Sequence, residues 1–351
     1  MIKKLIFSLS VFALFSCSTN MDKKVNKFLE DYQNPNQPGY SLLIAKDGEI
    51  LLAKSSGMAS IEVKSKITNE TNFRLASVTK QFTAFSILML INEGKLSFET
   101  TLTEIFPKFP FYGKNITVQN LLEHTSGIVD YESLIPENQK DKLHDKDVLN
   151  MMMQIDSTYF SPGEKHQYSN SGYAVLTMII EKITGKSYHV FLKERIFDPL
   201  KMETSVAFVK GENLVKNRAF GYKLENNEAV FADQNLTSAV LGDGGIYSNV
   251  YDMLKWESSL YTEKLLPKKL IDESQLRKTT TSGETFDYGY GWRLEKLDDY
   301  EVVYHTGSST GFRNIIYRIP SERLVIIFLS NRDEGDTLVL ARELAELYLS
   351  N

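Results

Sequence analysis

Two hydrophobic periods organise the chain. Val25, Phe28, Leu29 and Tyr32 recur at helical spacing within residues 21–33, and the Asn-Pro-Asn-Gln-Pro-Gly stretch at 34–39 ends that helix. Residues 40–45 and 50–54 are short apolar runs joined through Lys46-Asp47-Gly48-Glu49. Asp-Gly between such runs is a strong signal for a hairpin turn. Phe82, Phe85, Leu88, Met89 and Ile91 then read as a buried helix closed by Gly94 as its C-cap, with Ser77 at its start. From Lys95 to about Asn235 the pattern is mostly helical with long loops, notably over 118–123, 147–154 and 173–184. Strand signals return at 288–294, 301–306, 312–319 and 324–329, and an amphipathic helix over 337–349 closes the chain.

A sheet interrupted in sequence by helices is an α+β architecture. The expected arrangement is an antiparallel β-sheet flanked by helices in one domain over 36–345. Its sheet lobe is built from about 36–95 and 236–351, and a helical lobe of about 96–235 is inserted between them.

The first residues follow neither period. Lys3 and Lys4 precede an apolar run over 5–15 that ends in Leu14-Phe15-Ser16-Cys17. That run is short of the roughly 20 residues a spanning helix needs, but it suits a cleavable signal. A Leu three residues before a Cys resembles a lipobox, which implies a lipoprotein signal over 1–16, a lipidated Cys17 and a mature N-terminal segment over 17–35. The alternative is a plain secretory signal with an incidental Cys. Either reading predicts export, and the first places the protein on a bacterial membrane, inner or outer, at its periplasmic face. Cys17 is the single cysteine, so internal disulfides are excluded and stability must come from packing.

The 351 residues are 42% hydrophobic, enough for a large core. Forty Lys and Arg against 45 Asp and Glu leave a formal charge of -5, which offers no broad basic surface for nucleic acid. The five histidines, His124, His144, His166, His189 and His305, are scattered and join no metal-binding pattern. No metal and no cofactor are expected.

Three elements carry chemistry. Ser77-Val78-Thr79-Lys80 is an S-x-x-K motif, whose helical spacing puts hydroxyl and amine on one face so that the amine can take the hydroxyl proton. Tyr168-Ser169-Asn170 offers a phenol for proton transfer and an amide for positioning substrate. A second copy, Tyr247-Ser248-Asn249, is read as a structural turn after Gly242-Asp243-Gly244-Gly245. His305-Thr306-Gly307 ends a predicted strand, with Ser308 next. A strand edge of this kind can hold an extended acyl group, and the backbone N–H groups of Ser77 and Ser308 are the candidates for an oxyanion hole. Each element alone also has a bland reading: a chance match, a capping asparagine, a polar strand end.

In the order S-x-x-K, Y-x-N, H-T-G, the three resemble the class C β-lactamase-like and penicillin-binding serine hydrolases over about residues 30–345. The text between them resembles that family too: Leu121-Leu122-Glu123-His124-Thr125-Ser126-Gly127, Phe197-Asp198-Pro199-Leu200-Lys201-Met202, Gly289-Tyr290-Gly291-Trp292 and Ser330-Asn331. The resemblance implies Ser77 as acylated nucleophile, Lys80 as its base and Tyr168 as proton shuttle. It further implies Asn170 as ligand of the acyl-side amide, His305, Thr306 and Gly307 with Ser308 along the cleft, and His124 as structural. Class C β-lactamases proper carry a lysine where this chain has His305. A histidine there is mostly neutral at pH 7 and would read substrate charge differently. The resemblance therefore favours an esterase, D-amino-acid peptidase or carboxypeptidase-type hydrolase of a small-molecule or peptide substrate, peptidoglycan among them. A true β-lactamase stands behind these, and a catalytically silent binder of peptidoglycan or a partner is the reading from another class.

Overall fold

The computed structural model describes residues 21 and 23–350, so Cys17 and the signal-like segment 1–16 lie outside the described residues. Six antiparallel strands form the main sheet: β1 (Tyr40–Lys46), β2 (Glu49–Ser56), β3 (Arg293–Leu297), β4 (Tyr300–Ser309), β5 (Phe312–Ile319) and β6 (Leu324–Ser330). Their spatial order is β3-β4-β5-β6-β1-β2. The first strand thus pairs with the last, Ile44 opposite Ile326, and Asn331 Oδ1 accepts the Gly39 N–H at 2.8 Å. Asp47 and Gly48 both sit at positive φ in the β1–β2 turn, as a tight hairpin demands.

Alternation along the strands sends side chains into two separate cores. Leu42, Ile44, Ile315, Tyr317, Ile326 and Phe328 face one side, where Val25, Leu29 and the C-terminal helix Thr337–Leu349 cover them. Leu43, Ala45, Ile316, Val325 and Ile327 face the other and merge with the helical part of the chain. On that side lie helices α1 (Lys80–Asn92), α2 (Asn170–Thr184) and α3 (Val250–Ser259). Trp256 of α3 packs its ring 4.3 Å from Phe82 and 4.8 Å from Phe85 of α1, locking the two helices together.

Two expectations need correction. Residues 288–292 are not strand, and β3 begins only at Arg293. The alternation of aromatic and small residues there mimics a pleat, but Gly291 takes φ +77°, and a Cβ on it would lie 2.7 Å from the Lys80 carbonyl oxygen. The small residues serve close approach to the start of α1. Ser77 is not in the first turn of the α-helix either. It lies in a 3-10 turn, Ala76–Thr79, that feeds α1, with Ala76 at φ +49°. That backbone conformation costs an alanine about 1–2 kcal/mol, so the surroundings must enforce it.

Candidate active site

The enforcing contacts come from three directions. Phe73–Arg74 pairs with strand Ile246–Ser248, and Asn314 of β5 donates Nδ2–H to the Arg74 carbonyl at 2.9 Å. Gly307 of β4 packs so closely that a Cβ there would lie 2.1 Å from the Leu75 carbonyl oxygen. Thr79 Oγ1 accepts the Ile246 N–H at 3.2 Å. Ser77 is thereby fixed against the end of β4.

Lys80 is fully buried. Its Nζ donates to Ser77 Oγ at 3.2 Å, to Asn170 Oδ1 at 2.9 Å and to the Asp243 carbonyl at 2.8 Å, one acceptor for each N–H. The loop supplying that last acceptor is itself held by carboxyls. Asp145 accepts the N–H groups of Leu241 and Gly242, and Asp243 accepts the Tyr131 hydroxyl. Burial raises both acids, Asp145 to about 7 and Asp243 to about 6, the latter with the Lys80 and Arg74 charges pulling it back down.

Tyr168 reaches the same amine, its ring centroid 4.9 Å from Lys80 Nζ. The next residue, Ser169, N-caps α2 by accepting the Gly172 N–H at 3.1 Å. Asn170 is thus released from capping: its Oδ1 takes the Lys80 bond and its Nδ2 donates to Glu132 Oε1 at 3.3 Å. His124 straddles the tyrosine. Its carbonyl accepts the Gln167 N–H at 2.9 Å and its Nδ1 accepts the Ser169 N–H at 3.1 Å, with its ring 4.4 Å from that of Tyr168. An accepting Nδ1 fixes the neutral tautomer with its proton on Nε2. Burial, then the Lys80 charge, holds the His124 pKa well below the usual histidine range.

The structure brings Ser77, Lys80, Tyr168 and Asn170 together, and Ser77, Asn170 and Ser308 line one cavity of about 190 Å³. The carriers of the expected oxyanion-hole N–H groups, Ser77 and Ser308, therefore share a wall. Thr306 is half-buried on β4 and does not line that cavity, and Gly307 serves the approach of β4 to the nucleophile turn. The His305 ring departs from expectation. It is 1% exposed, Nδ1 donates to the Thr306 carbonyl at 2.7 Å, and Nε2 accepts from the Tyr288 hydroxyl at 3.1 Å. Burial and the Arg293 charge push its pKa well below the ordinary value. A neutral ring with both nitrogens occupied inside the protein is not placed to read substrate charge.

The cation beside Tyr168 is instead Arg293 of β3, whose guanidinium carbon lies 5.0 Å from the Tyr168 ring centroid. Its Nε is buried without a hydrogen-bond partner. Nothing in the linear pattern marks Arg293, since β3 pairing with β4, Arg293 opposite Tyr304, is what brings it here. Nor does the linear pattern mark Glu132 or the positioning contacts of His124, which also come from distant segments. Among the described residues, no group of three His, Cys, Asp or Glu side chains is arranged to hold a metal ion.

The second Tyr-Ser-Asn copy is structural, though not a turn. Tyr247 is buried in strand Ile246–Ser248, and Asn249 N-caps α3, its Oδ1 accepting the N–H groups of Tyr251 and Asp252.

Known proteins are similar to this chain over most of its length. The Beta-lactamase family profile matches residues 22–349. Penicillin-binding protein 4* of Bacillus subtilis is 31% identical over 335 residues, covering 90% of this chain and 73% of its own length. The octameric penicillin-binding protein homologue from Pyrococcus abyssi superposes with a TM-score of 0.80 at 27% identity, over 95% of this chain and 77% of that one. A D-amino acid amidase from Ochrobactrum anthropi SV3 superposes with a TM-score of 0.75 at 25% identity, over 92% and 98% of the two chains. With the profile spanning nearly all of the described chain and the Lys80 amine between the Ser77 hydroxyl and the Tyr168 ring, the protein belongs to the beta-lactamase family of serine hydrolases.

Proposed function

We propose that the protein is an exported hydrolase that forms an acyl-enzyme on Ser77 and cleaves an amide in a peptide containing D-amino acids. The observation that carries this is the single amine of Lys80, bonded to both Ser77 Oγ and Asn170 Oδ1 with the Tyr168 ring 4.9 Å away. Ser77 Oγ attacks the substrate carbonyl as its proton passes to Lys80, and the oxyanion forms toward the Ser77 and Ser308 backbone. Lys80 takes this step as a neutral amine, with its N–H groups on Asn170 and Asp243 and its lone pair toward Ser77. The C–N bond then breaks, with Tyr168 placed to return the proton to the departing amine. Water, deprotonated by the same pair, releases the acyl group and restores Ser77.

Arg293 favours an amide whose leaving group bears a carboxylate, because a guanidinium with an unpartnered buried Nε beside Tyr168 offers a charge-assisted bond on the leaving-group side. This supports a peptidase over a neutral-ester hydrolase. A β-lactam also carries a carboxylate, so β-lactamase activity is the second reading. The named relatives, a penicillin-binding protein and a D-amino acid amidase, are consistent with either amide. Export rests on the signal-like segment and the lipobox spacing at Cys17.

A panel holding a D-Ala-D-Ala peptide, its C-terminal amide, a short p-nitrophenyl ester and a chromogenic cephalosporin tests the proposal. The peptide acid is expected to be the best substrate, with a phosphonate adduct mapping to Ser77. An adduct on another serine overturns the nucleophile, and preference for the ester overturns the peptidase reading. Mass spectrometry of the native protein should find a mature N-terminus at a lipidated Cys17.

A further inference from the structure

The segment that ends on the catalytic lysine runs beside residues 143–145. Leu143 N–H donates to the Leu236 carbonyl at 2.9 Å, and His144 bridges Ala239. Asp145, the first residue of helix Asp145–Met152, then accepts the Leu241 N–H at 2.8 Å on one carboxyl oxygen and the Gly242 N–H at 3.0 Å on the other. The Gly245 N–H closes the turn on the Leu241 carbonyl at 2.9 Å.

Gly242 is held from both sides. Its carbonyl accepts the Thr83 hydroxyl at 2.7 Å, and because that hydroxyl has one proton, the 2.6 Å contact between Thr83 and Tyr188 is donated by the tyrosine. Asp243 follows, its carboxyl bonded by Tyr131 and its carbonyl on Lys80 Nζ at 2.8 Å. Asp145, Thr83 and Tyr188 are each at most 5% exposed and line no part of the catalytic cavity, so their influence on the chemistry must pass through this turn.

A lysine acting as a base has two N–H groups and one lone pair. Asn170 Oδ1 and the Asp243 carbonyl take the two N–H groups, which leaves the lone pair for Ser77 Oγ, 3.2 Å away. With the Asn170 acceptor alone, the lone pair could occupy either of the two remaining staggered positions about Nζ, and only one of them faces the serine. The direction of one backbone carbonyl therefore decides whether the base is aimed.

A carboxylate is the side chain that can hold both peptides at once, because an asparagine offers one oxygen where Asp145 offers two. Keeping it there is costly. Burial raises the Asp145 carboxyl to about 7 against the pull of the Leu241 and Gly242 N–H groups, and the Asp243 charge adds to the rise. Asp243 and Tyr188 are the other titratable groups that face it.

We propose that Asp145, in its ionised form, is a positioning residue for catalysis: by holding the Leu241 and Gly242 peptides it aims the Asp243 carbonyl at Lys80 and so turns the lysine lone pair toward Ser77. The proposal rests on the reading of Lys80 as the base that activates Ser77.

The test follows p-nitrophenol release as Ser77 attacks a neutral p-nitrophenyl phosphonate. The Oγ–P bond forms, the P–O bond to p-nitrophenolate breaks, and the hydroxyl proton passes to Lys80. The amplitude counts competent sites, so the rate constant at saturation refers to folded molecules alone. Asp145→Asn should lower that constant about tenfold at about pH 8 and leave the half-saturating concentration nearly unchanged, the mark of a misaimed group rather than a lost contact. As pH is lowered to about 5.5, the ratio of wild type to variant should fall toward one, because the wild-type carboxyl takes up a proton and gives up one of its two acceptors. Taking the ratio cancels any titration of Lys80 and Tyr168 that the two proteins share. Thr83→Val releases the Gly242 carbonyl but leaves Asp145 in place, so it should lower the constant about threefold at every pH. A normal rate in that variant overturns the proposal even where Asp145→Asn fails to fold. A wild-type to Asp145→Asn ratio near one at about pH 8, a loss in affinity instead of rate, or a loss that is the same at every pH overturns it too. Labelling of a different serine in the wild type sinks the hydrolase reading and this one with it, whereas labelling of Ser77 at equal rates in both proteins sinks the role of Asp145 alone.

Discussion

The chain spells Tyr-Ser-Asn twice, at 168–170 and at 247–249, and the two copies do different work because the helix that follows each one starts one residue apart. At the first, Ser169 caps α2 and Asn170, already inside the helix, turns its amide to Lys80 and Glu132. At the second, Asn249 is itself the cap of α3, so its Oδ1 accepts two backbone N–H groups while its Nδ2 donates to Asn72 and Thr204, and Ser248 bonds Ser205 instead. The tyrosines diverge likewise. Tyr168 is half-exposed against the lysine amine, whereas Tyr247 is fully buried and accepts a bond from Arg218 at 3.0 Å. Which residue takes the cap decides whether the asparagine is free for chemistry.

The largest expected effect separates the tyrosines. Tyr168→Phe should lower kcat/KM on an amide by about 10²- to 10⁴-fold with little change in Tm, the range of a lost acid–base group. Tyr247→Phe should leave kcat/KM within about twofold and cost about 1.5–3 kcal/mol of stability, the range for a bond to a charged donor. Comparable catalytic losses in both would break the comparison.

The asparagines come next. Asn170→Ala should cost about ten- to a hundredfold in kcat/KM, since it removes an acceptor of the Lys80 amine and a donor aimed at the cavity. Asn249→Ala should instead cost about 0.5–2 kcal/mol in urea unfolding, the loss of a cap, with normal kinetics. A kinetic defect in Asn249→Ala that exceeds its stability defect would show that this copy also reaches the site.

A finer test addresses what holds the first copy in place. His124→Leu should lower kcat by about tenfold with KM nearly unchanged, because Ser169 loses its acceptor and Tyr168 its support. His124→Asn should recover most of that, since asparagine tolerates the positive φ of 60° and can accept through Oδ1. Equal losses in the two variants would make His124 a packing residue only.

How much of this was legible in the sequence follows the range of each contact. The β1–β2 hairpin, β5, β6 and the C-terminal helix are local patterns and emerge where the periodicity places them. Ser77 and Lys80 are close in sequence, so their meeting is nearly dictated by the turn between them. Arg293, Glu132 and Arg74 reach the site through pairings between distant segments, which no local period encodes. His305 shows the same limit: whether a strand-end histidine faces water or core depends on what packs against β4, and here the nucleophile turn packs against Gly307.

The smallest effect concerns pH. Burial lowers the His166 pKa to about 4, with the Arg293 charge acting in the same direction. As pH falls below about 6.5 the unfolded chain takes up this proton first, so stability present above that pH is lost as pH drops toward 4. His124 and His305 act in the same sense, while Asp145 and Asp243, raised by burial, act in the opposite one. The difference in urea midpoint between wild type and His166→Gln isolates the first contribution. It should narrow in the wild type's disfavour between pH 7.5 and 5, and a constant difference would show that His166 is not held neutral.

The bond from Gly39 to Asn331 joins residues 292 apart in sequence, and the β1–β6 pairing it extends has a consequence for how the protein is made. While the chain is being synthesised, the β1–β2 hairpin has no neighbour until β6 emerges almost at the end. Its contact order is high, and collapse into the finished sheet is correspondingly late. A polypeptide stopped after β5 would contain Ser77, Lys80, Tyr168, Asn170 and Arg293 and still lack the strand that unites the two ends of the sheet. Truncation anywhere between β5 and the end of β6 should therefore be as damaging to folding as truncation near Ser77, although every one of those site residues is still present.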